Sequence, residues 1–145
     1  MTTRILFVCL GNICRSPAAE GVVRALLPGA RTDSAGTGDW HVGDPPYGPM
    51  QNAARARGLD ISDLRARQFG AADFHRFDLI VAMDARNVAA IEALRPEGCA
   101  THVALLTDYA PETGADHVPD PYHTRDFDGA LDLIETCARG LAARL

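Results

Sequence analysis

Two short runs, Ile5-Leu6-Phe7-Val8 and Leu79-Ile80-Val81-Ala82, are apolar without a break, and they restrict the fold more than any other feature of the chain. A strand with one wet face alternates apolar and polar residues. A strand covered on both faces does not, and that situation belongs to parallel sheets with helices on either side. Arg4 to Val8, Ala30 to Ala35, Asp78 to Met83 and His102 to Leu106 read as four strands. Helical patterns separate them: Ser16 to Leu27, ended by Pro28-Gly29; Met50 to Arg57, stopped by Gly58; a helical turn at Ala71 to Phe74; and Asp84 to Leu94, with Asp84 as cap and Val88, Ile91 and Leu94 facing inward. A closing helix is expected over Thr124 to Leu145, with Phe127, Leu131, Ile134 and Leu141 on its apolar side and its charged residues on a solvated face. Strands separated by helices predict parallel crossovers and an open α/β sheet whose ligands bind beyond the carboxyl ends of the strands.

The first such end is Val8-Cys9-Leu10-Gly11-Asn12-Ile13-Cys14-Arg15-Ser16. Ser16 is a good N-cap, Pro17 suits the first helical turn, and Glu20 lies near the positive end of the helix dipole. A strand entering a loop that opens a helix turns several backbone N–H groups toward one point, which makes an anion site. Cys9 and Arg15 make that site reactive. Converging amides, a helix N-terminus and a guanidinium all favour a thiolate, and the same donors suit a phosphate, whose phosphorus then lies against Cys9 while Arg15 binds two of its oxygens. Ser16 can donate to the sulfur. Cys14, in the same tight loop, is placed to capture an oxidised Cys9 as a disulfide.

Two loops rich in glycine and proline flank this chemistry. Gly36 to Pro49 carries Trp40, either a lid on the core or one wall of a binding slot. Pro111 to His123 contains Pro119-Asp120-Pro121-Tyr122-His123, where Asp120 is either an Asp-Pro turn before a helix or a rigidly placed acid. Other chemistry is disfavoured. A net charge of −5 speaks against nucleic acid, all 14 basic residues are arginine so no Walker lysine exists, and Cys99 and Cys137 stand alone rather than at zinc-ligand spacing. No stretch approaches the roughly 20 apolar residues of a membrane span, and no signal-peptide pattern follows Met1, so a cytoplasmic protein is expected.

Cys9-Leu10-Gly11-Asn12-Ile13-Cys14-Arg15-Ser16-Pro17 resembles the signature of the low-molecular-weight protein tyrosine phosphatases, and the likeness continues through Asp33-Ser34-Ala35-Gly36-Thr37, Ala66-Arg67-Gln68, Met83-Asp84 and Asp120-Pro121-Tyr122. The resemblance implies one α/β domain over 1–145 with a four-stranded parallel sheet of flavodoxin-like type. It also implies hydrolysis of protein phosphotyrosine with Cys9 as nucleophile, Arg15 as phosphate clamp and Asp120 as general acid and base. Leu10 to Cys14 form the phosphate loop in that family, Asn12 and Ser34 orient it, Trp40 and Tyr122 wall the pocket, and neither metal nor cofactor takes part. The partners implied are phosphotyrosine proteins, a tyrosine kinase or its targets, with no nucleic acid or membrane. Arsenate reductases share the fold but need two further cysteines after the third strand, where this chain has Met83-Asp84. Protein-arginine phosphatases carry a threonine where this chain has Ile13. Relatives often place at Leu64 a histidine that braces the loop, so a softer phosphate loop is expected here.

Overall fold

Strand β1 (Arg4–Cys9) lies inside the sheet of the computed structural model, which describes residues 2–145. It pairs in parallel with β2 (Arg31–Gly36) on one side and β3 (Leu79–Ala82) on the other, and β4 (His102–Leu105) adds outside β3, giving the order β2-β1-β3-β4. Ile5 to Val8 and Ile80 to Ala82 are fully buried, as their unbroken apolar character requires. The two-residue period of a strand divides them between two cores. Ile5, Phe7 and Cys9 face Ala18, Ala19, Val22 and Val23 of α1 (Arg15–Leu26) and Leu131, Ile134, Cys137 and Leu141 of α6 (Phe127–Ala142). Leu6 and Val8 face the opposite way, onto Phe69, onto Phe74 of α3 (Asp73–Arg76) and onto Ile91 of α4 (Ala85–Glu92). Helix α2 (Gly48–Arg55) adds Met50 and Ala54 to the first core. Among the described residues no helix is long and apolar enough to cross a membrane.

The chain leaves β1 toward β2 and then crosses back to β3, so the crevice at the carboxyl ends of β1 and β3 is the topological switch point of the sheet. Cys9 ends β1 there, and Met83-Asp84 follow β3.

Several boundaries differ from expectation. The residue at the cap position of α1 is Cys14, without a side-chain bond, and Ser16 lies inside the first turn because its hydroxyl is used on Cys9 and Asn12 instead. The closing helix divides. Arg125 adopts a left-handed conformation (φ 64°) that ends a four-residue helix α5 (Pro121–Thr124), and Asp126 then caps α6 by accepting a hydrogen bond from the Gly129 N–H. Leu94 is 46% exposed rather than inward. Helix α4 stops at Glu92 and its end tightens, the Leu94 N–H bonding to Ile91 O, which turns Leu94 off the apolar stripe. On α6 the acidic row Asp128, Asp132 and Glu135 is partnered by Arg57.

Candidate active site

Between β1 and α1 the loop is shaped by its carbonyls. Those of Cys9, Leu10 and Ile13 accept hydrogen bonds from the N–H groups of Thr37, Gly38 and Tyr47 at 2.9, 2.9 and 2.8 Å. A trans peptide points its C=O and N–H in opposite directions, so the N–H groups of Leu10, Gly11 and Cys14 are turned to the other side. Asn12 makes the sharpest bend, at φ 58°, a left-handed conformation that asparagine tolerates better than most residues. The close approach of β2 to this loop requires Gly36, where a Cβ would meet Leu10 O at 2.8 Å.

Cys9 Sγ is buried, accepts the Asn12 N–H at 3.2 Å and lies 3.0 Å from Ser16 Oγ. Directions in the surrounding network follow from donor count. The Arg67 N–H donates to Asn12 Oδ1 at 3.0 Å, which fixes the amide, so Asn12 Nδ2 donates to both Ser16 Oγ (2.8 Å) and Ser34 Oγ (3.0 Å). Ser34 gives its hydrogen to Glu20 Oε1 at 2.7 Å, and Ser16 has one hydrogen to give, to the Cys9 sulfur at 3.0 Å or to the Ala35 carbonyl at 3.5 Å. Burial pushes the Glu20 carboxyl upward, and the Ser34 hydrogen bond partly offsets this. Arg67 is itself anchored by Asp33 and Asp73, both at 3.0 Å. No polar side-chain atom buried among the described residues lacks a partner. The softer loop expected from Leu64 is therefore corrected: Glu20 and the Arg67 backbone close the network, and Leu64 packs partly buried against the core.

Arg15 is 3% exposed, and its Nη1 donates to Asp84 Oδ2 at 2.8 Å and to the Val118 carbonyl at 3.0 Å. Val118 is fixed in turn by its N–H bond to Met83 O. Arg15 Nη2 lies 3.7 Å from Asp120 Oδ2. One nitrogen is thus taken up in positioning the group, and the Nε–Nη2 edge is what remains for a bidentate ligand. Asp84 also caps α4, and although burial pushes its carboxyl up, the Arg15 and Asn87 hydrogen bonds hold it below its ordinary range.

Asp120 is oriented by the helix it precedes: its Oδ1 accepts the Tyr122 N–H at 3.1 Å, leaving Oδ2 toward Arg15, with His123 Nε2 at 3.9 Å. Tyr122 packs against Tyr47 at 5.1 Å between ring centroids, and Arg125 bonds the Tyr47 hydroxyl and covers its ring. Cys9, Leu10, Gly11, Ile13, Cys14, Arg15, Trp40, His41, Asp120, Tyr122 and His123 line one cleft of about 140 Å³. Trp40, 69% exposed, stands at its rim with its ring over Gly38. Cys14 is buried beside Cys9, and burial first, then the neighbouring Cys9 and Asp120, pushes its thiol up to about 12.

Of the residues singled out from sequence, Cys9, Leu10, Gly11, Ile13, Cys14, Arg15, Trp40, Asp120 and Tyr122 line this cleft, while Asn12, Ser16 and Ser34 lie just behind it. Asp84, Glu20, Tyr47, Arg67 and His41 were missed. Asp84 had a signal, since it follows a wholly buried strand at the ligand-binding edge of the sheet.

Residues 4–145 match the family model described as low molecular weight phosphotyrosine protein phosphatase. The chain is 40% identical over 147 residues to the low molecular weight protein-tyrosine-phosphatase YfkJ of Bacillus subtilis, covering 97% of this chain and 94% of that one. It is 45% identical over 156 residues to the low molecular weight protein-tyrosine-phosphatase of Streptomyces coelicolor, covering 99% and 93%. The crystal structure of YfkJ superposes with a TM-score of 0.94 at 38% identity, over 99% of this chain and 94% of that one. A Drosophila arginine phosphatase superposes with a TM-score of 0.90 at 30% identity, over 97% and 96%. A parallel sheet with a buried thiol at its switch point, matched over nearly its full length in sequence and in structure, belongs to the low-molecular-weight phosphotyrosine protein phosphatases.

Proposed function

We propose that Cys9, Arg15 and Asp120 carry the phosphatase reaction on protein phosphotyrosine, a reading supported above all by their convergence on one cleft. The Cys9 sulfur attacks phosphorus as the bond to the phenolic oxygen breaks, and protonated Asp120 gives its proton to that oxygen. The Nε–Nη2 edge of Arg15 and the loop amides hold the phosphoryl oxygens as charge develops on them. Water then attacks the cysteinyl phosphate, Asp120 takes its proton, and the sulfur departs as a thiolate that receives the Ser16 hydrogen. Trp40 and Tyr122 flank the substrate ring, and Ile13 and Leu10 give it apolar contact. The reaction draws on no metal, because Arg15 and the amides supply the electrophile. Its protein partners are a tyrosine kinase or that kinase's targets, in the cytoplasm, where a thiolate nucleophile stays reduced.

The test is a series of aryl phosphates differing in leaving-group pKa, assayed without added metal. Cys9→Ser abolishes turnover throughout. Asp120→Ala slows esters of basic phenols by about 10²–10⁴ and those of acidic phenols much less, because only the former need a proton in the transition state. Equal losses across the series would remove Asp120 from this role.

A further inference from the structure

A second cleft, of about 490 Å³, lies away from the catalytic one. Arg4, Arg31, Thr32, Asp33, Arg67, His75, Arg76 and Phe77 line it, so it opens at the amino-terminal edge of β1 and β2. Cys9 is at the other end of β1, about 17 Å along a six-residue strand. No reacting phosphate spans that distance.

Its charges are unequally matched. Arg4 pairs with Asp78 at 3.1 Å, and Arg67 pairs with Asp33 and Asp73. Arg31 and Arg76 have no carboxylate within ion-pair distance among the described residues, and both are exposed, as is His75 between Arg76 and the body of α3. Arg4 and Arg31 are moreover direct partners across the β1–β2 ladder. Like charges placed opposite each other on neighbouring strands destabilise a sheet. In a chain of net charge −5 the cleft thus keeps two unpaired guanidinium groups, Arg31 and Arg76, beside two paired ones, and a multiply charged anion would neutralise both.

We propose that this cleft binds a small anion carrying two or more phosphate groups, with Arg31 and Arg76 as its principal ligands, Arg4 and His75 as supporting donors, and Phe77 along one side. Guanidinium groups suit it because each offers two parallel N–H donors to a phosphate, and an anion with two or more phosphates can give arginines on two separate elements a pair of oxygens each. The anion is an effector or anchor rather than the ester that is hydrolysed. Free polyphosphates and nucleoside di- or triphosphates share this chemistry.

The test titrates tripolyphosphate, and separately ADP, into the vanadate-saturated protein by calorimetry, so that the catalytic cleft is already filled. Tripolyphosphate is expected to bind, more weakly as salt rises, and to lose about tenfold or more in affinity in Arg31→Gln/Arg76→Gln. That variant melts no lower than the parent and keeps its turnover of para-nitrophenyl phosphate, since neither side chain supports the core or touches the catalytic cleft and loss of Arg31 removes the like charge opposite Arg4. ADP binding more tightly than tripolyphosphate, with the excess lost in Phe77→Ala, identifies the nucleotide as the natural form; the reverse order identifies the free polyphosphate. Absence of binding to the vanadate-saturated parent, or equal affinity in the double variant, would overturn the site.

Discussion

Replacing Asp84 by asparagine removes the charge that holds Arg15 and leaves one acceptor oxygen where there were two. Asparagine is nearly the same shape, but its single carbonyl oxygen can accept either the Arg15 Nη1–H that Oδ2 accepts or the Asn87 N–H that Oδ1 accepts in capping α4, not both. What disappears is the anion 2.8 Å from a guanidinium that is 4% exposed. A unit-charge pair about 4 Å apart at an effective dielectric of about 20 is worth about 4 kcal/mol. Three features reduce the loss: Asp84 is 23% exposed, the amide retains a neutral hydrogen bond, and Asp120 stays 3.7 Å from Nη2. A destabilisation of about 1–2 kcal/mol remains, about 3–6 °C in melting temperature for a chain of this size. Because the Asp84 carboxyl is held below its ordinary value, the unfolded chain binds its proton first as pH falls. Stability from this group is therefore present above about pH 4 and lost below it, so parent and variant converge in acid. Vanadate supplies the missing anion and raises the variant's melting temperature more than the parent's. The value of kcat falls about tenfold, because Arg15 is no longer fixed where charge develops. Thermal unfolding by circular dichroism, with and without vanadate and across pH, measures the first effects, and para-nitrophenyl phosphate turnover the last. An unchanged melting temperature together with an unchanged kcat would refute the argument that Asp84 positions Arg15.

Peroxide inactivation reverses with a thiol reductant in the parent and much less in Cys14→Ser; since the Cys14 thiol is pushed up to about 12, formation of the Cys9–Cys14 disulfide, followed by mass spectrometry, accelerates as pH rises through neutrality. Ile13→Thr shifts kcat/KM from phosphotyrosine toward phosphoarginine, because a hydroxyl replaces an apolar contact at the cleft, and a ratio that stays fixed would show that Ile13 does not select. Glu20→Gln changes the dependence of stability on pH. The raised Glu20 carboxyl contributes stability that is present below its ordinary range and lost as pH rises through its folded value, so the variant gains on the parent as pH rises above about 4, measured by denaturant unfolding.

The strand-loop-helix around Cys9 was legible because everything that shapes it is local: an apolar run, a glycine, a proline and an arginine within a few residues. Asp120 and Trp40 were only half legible, since an Asp-Pro turn and a loop indole each have structural uses, and it was the family pattern that ranked them. The second duties of Asp84 and Glu20 went unread because each satisfies a local rule equally well. Asp84 is a good helix cap, and its second duty exists only because β3 lies beside β1, two strands that are not consecutive. Glu20 looks like a residue answering a helix dipole, and only burial against β2 makes it the partner of Ser34. The error at Leu64 has the same origin. A missing side chain is visible in a sequence, whereas a backbone N–H such as that of Arg67 is present at every residue and announces nothing.

The hydrogen bonds behind the phosphate loop have a direction as well as a geometry. Cys9 and Glu20 are two acceptors at opposite ends, each reached through one serine, and between them the Asn12 amide nitrogen has only hydrogens to give. If Glu20 takes up a proton, Ser34 can reorient, but the reversal stops at Asn12 because that nitrogen accepts nothing. The arrangement acts as a rectifier: it braces the two halves mechanically while passing no proton from one to the other. Glu20→Gln, which keeps an oxygen for Ser34 to donate to, accordingly leaves the Ser16 hydrogen bond to Cys9 in place.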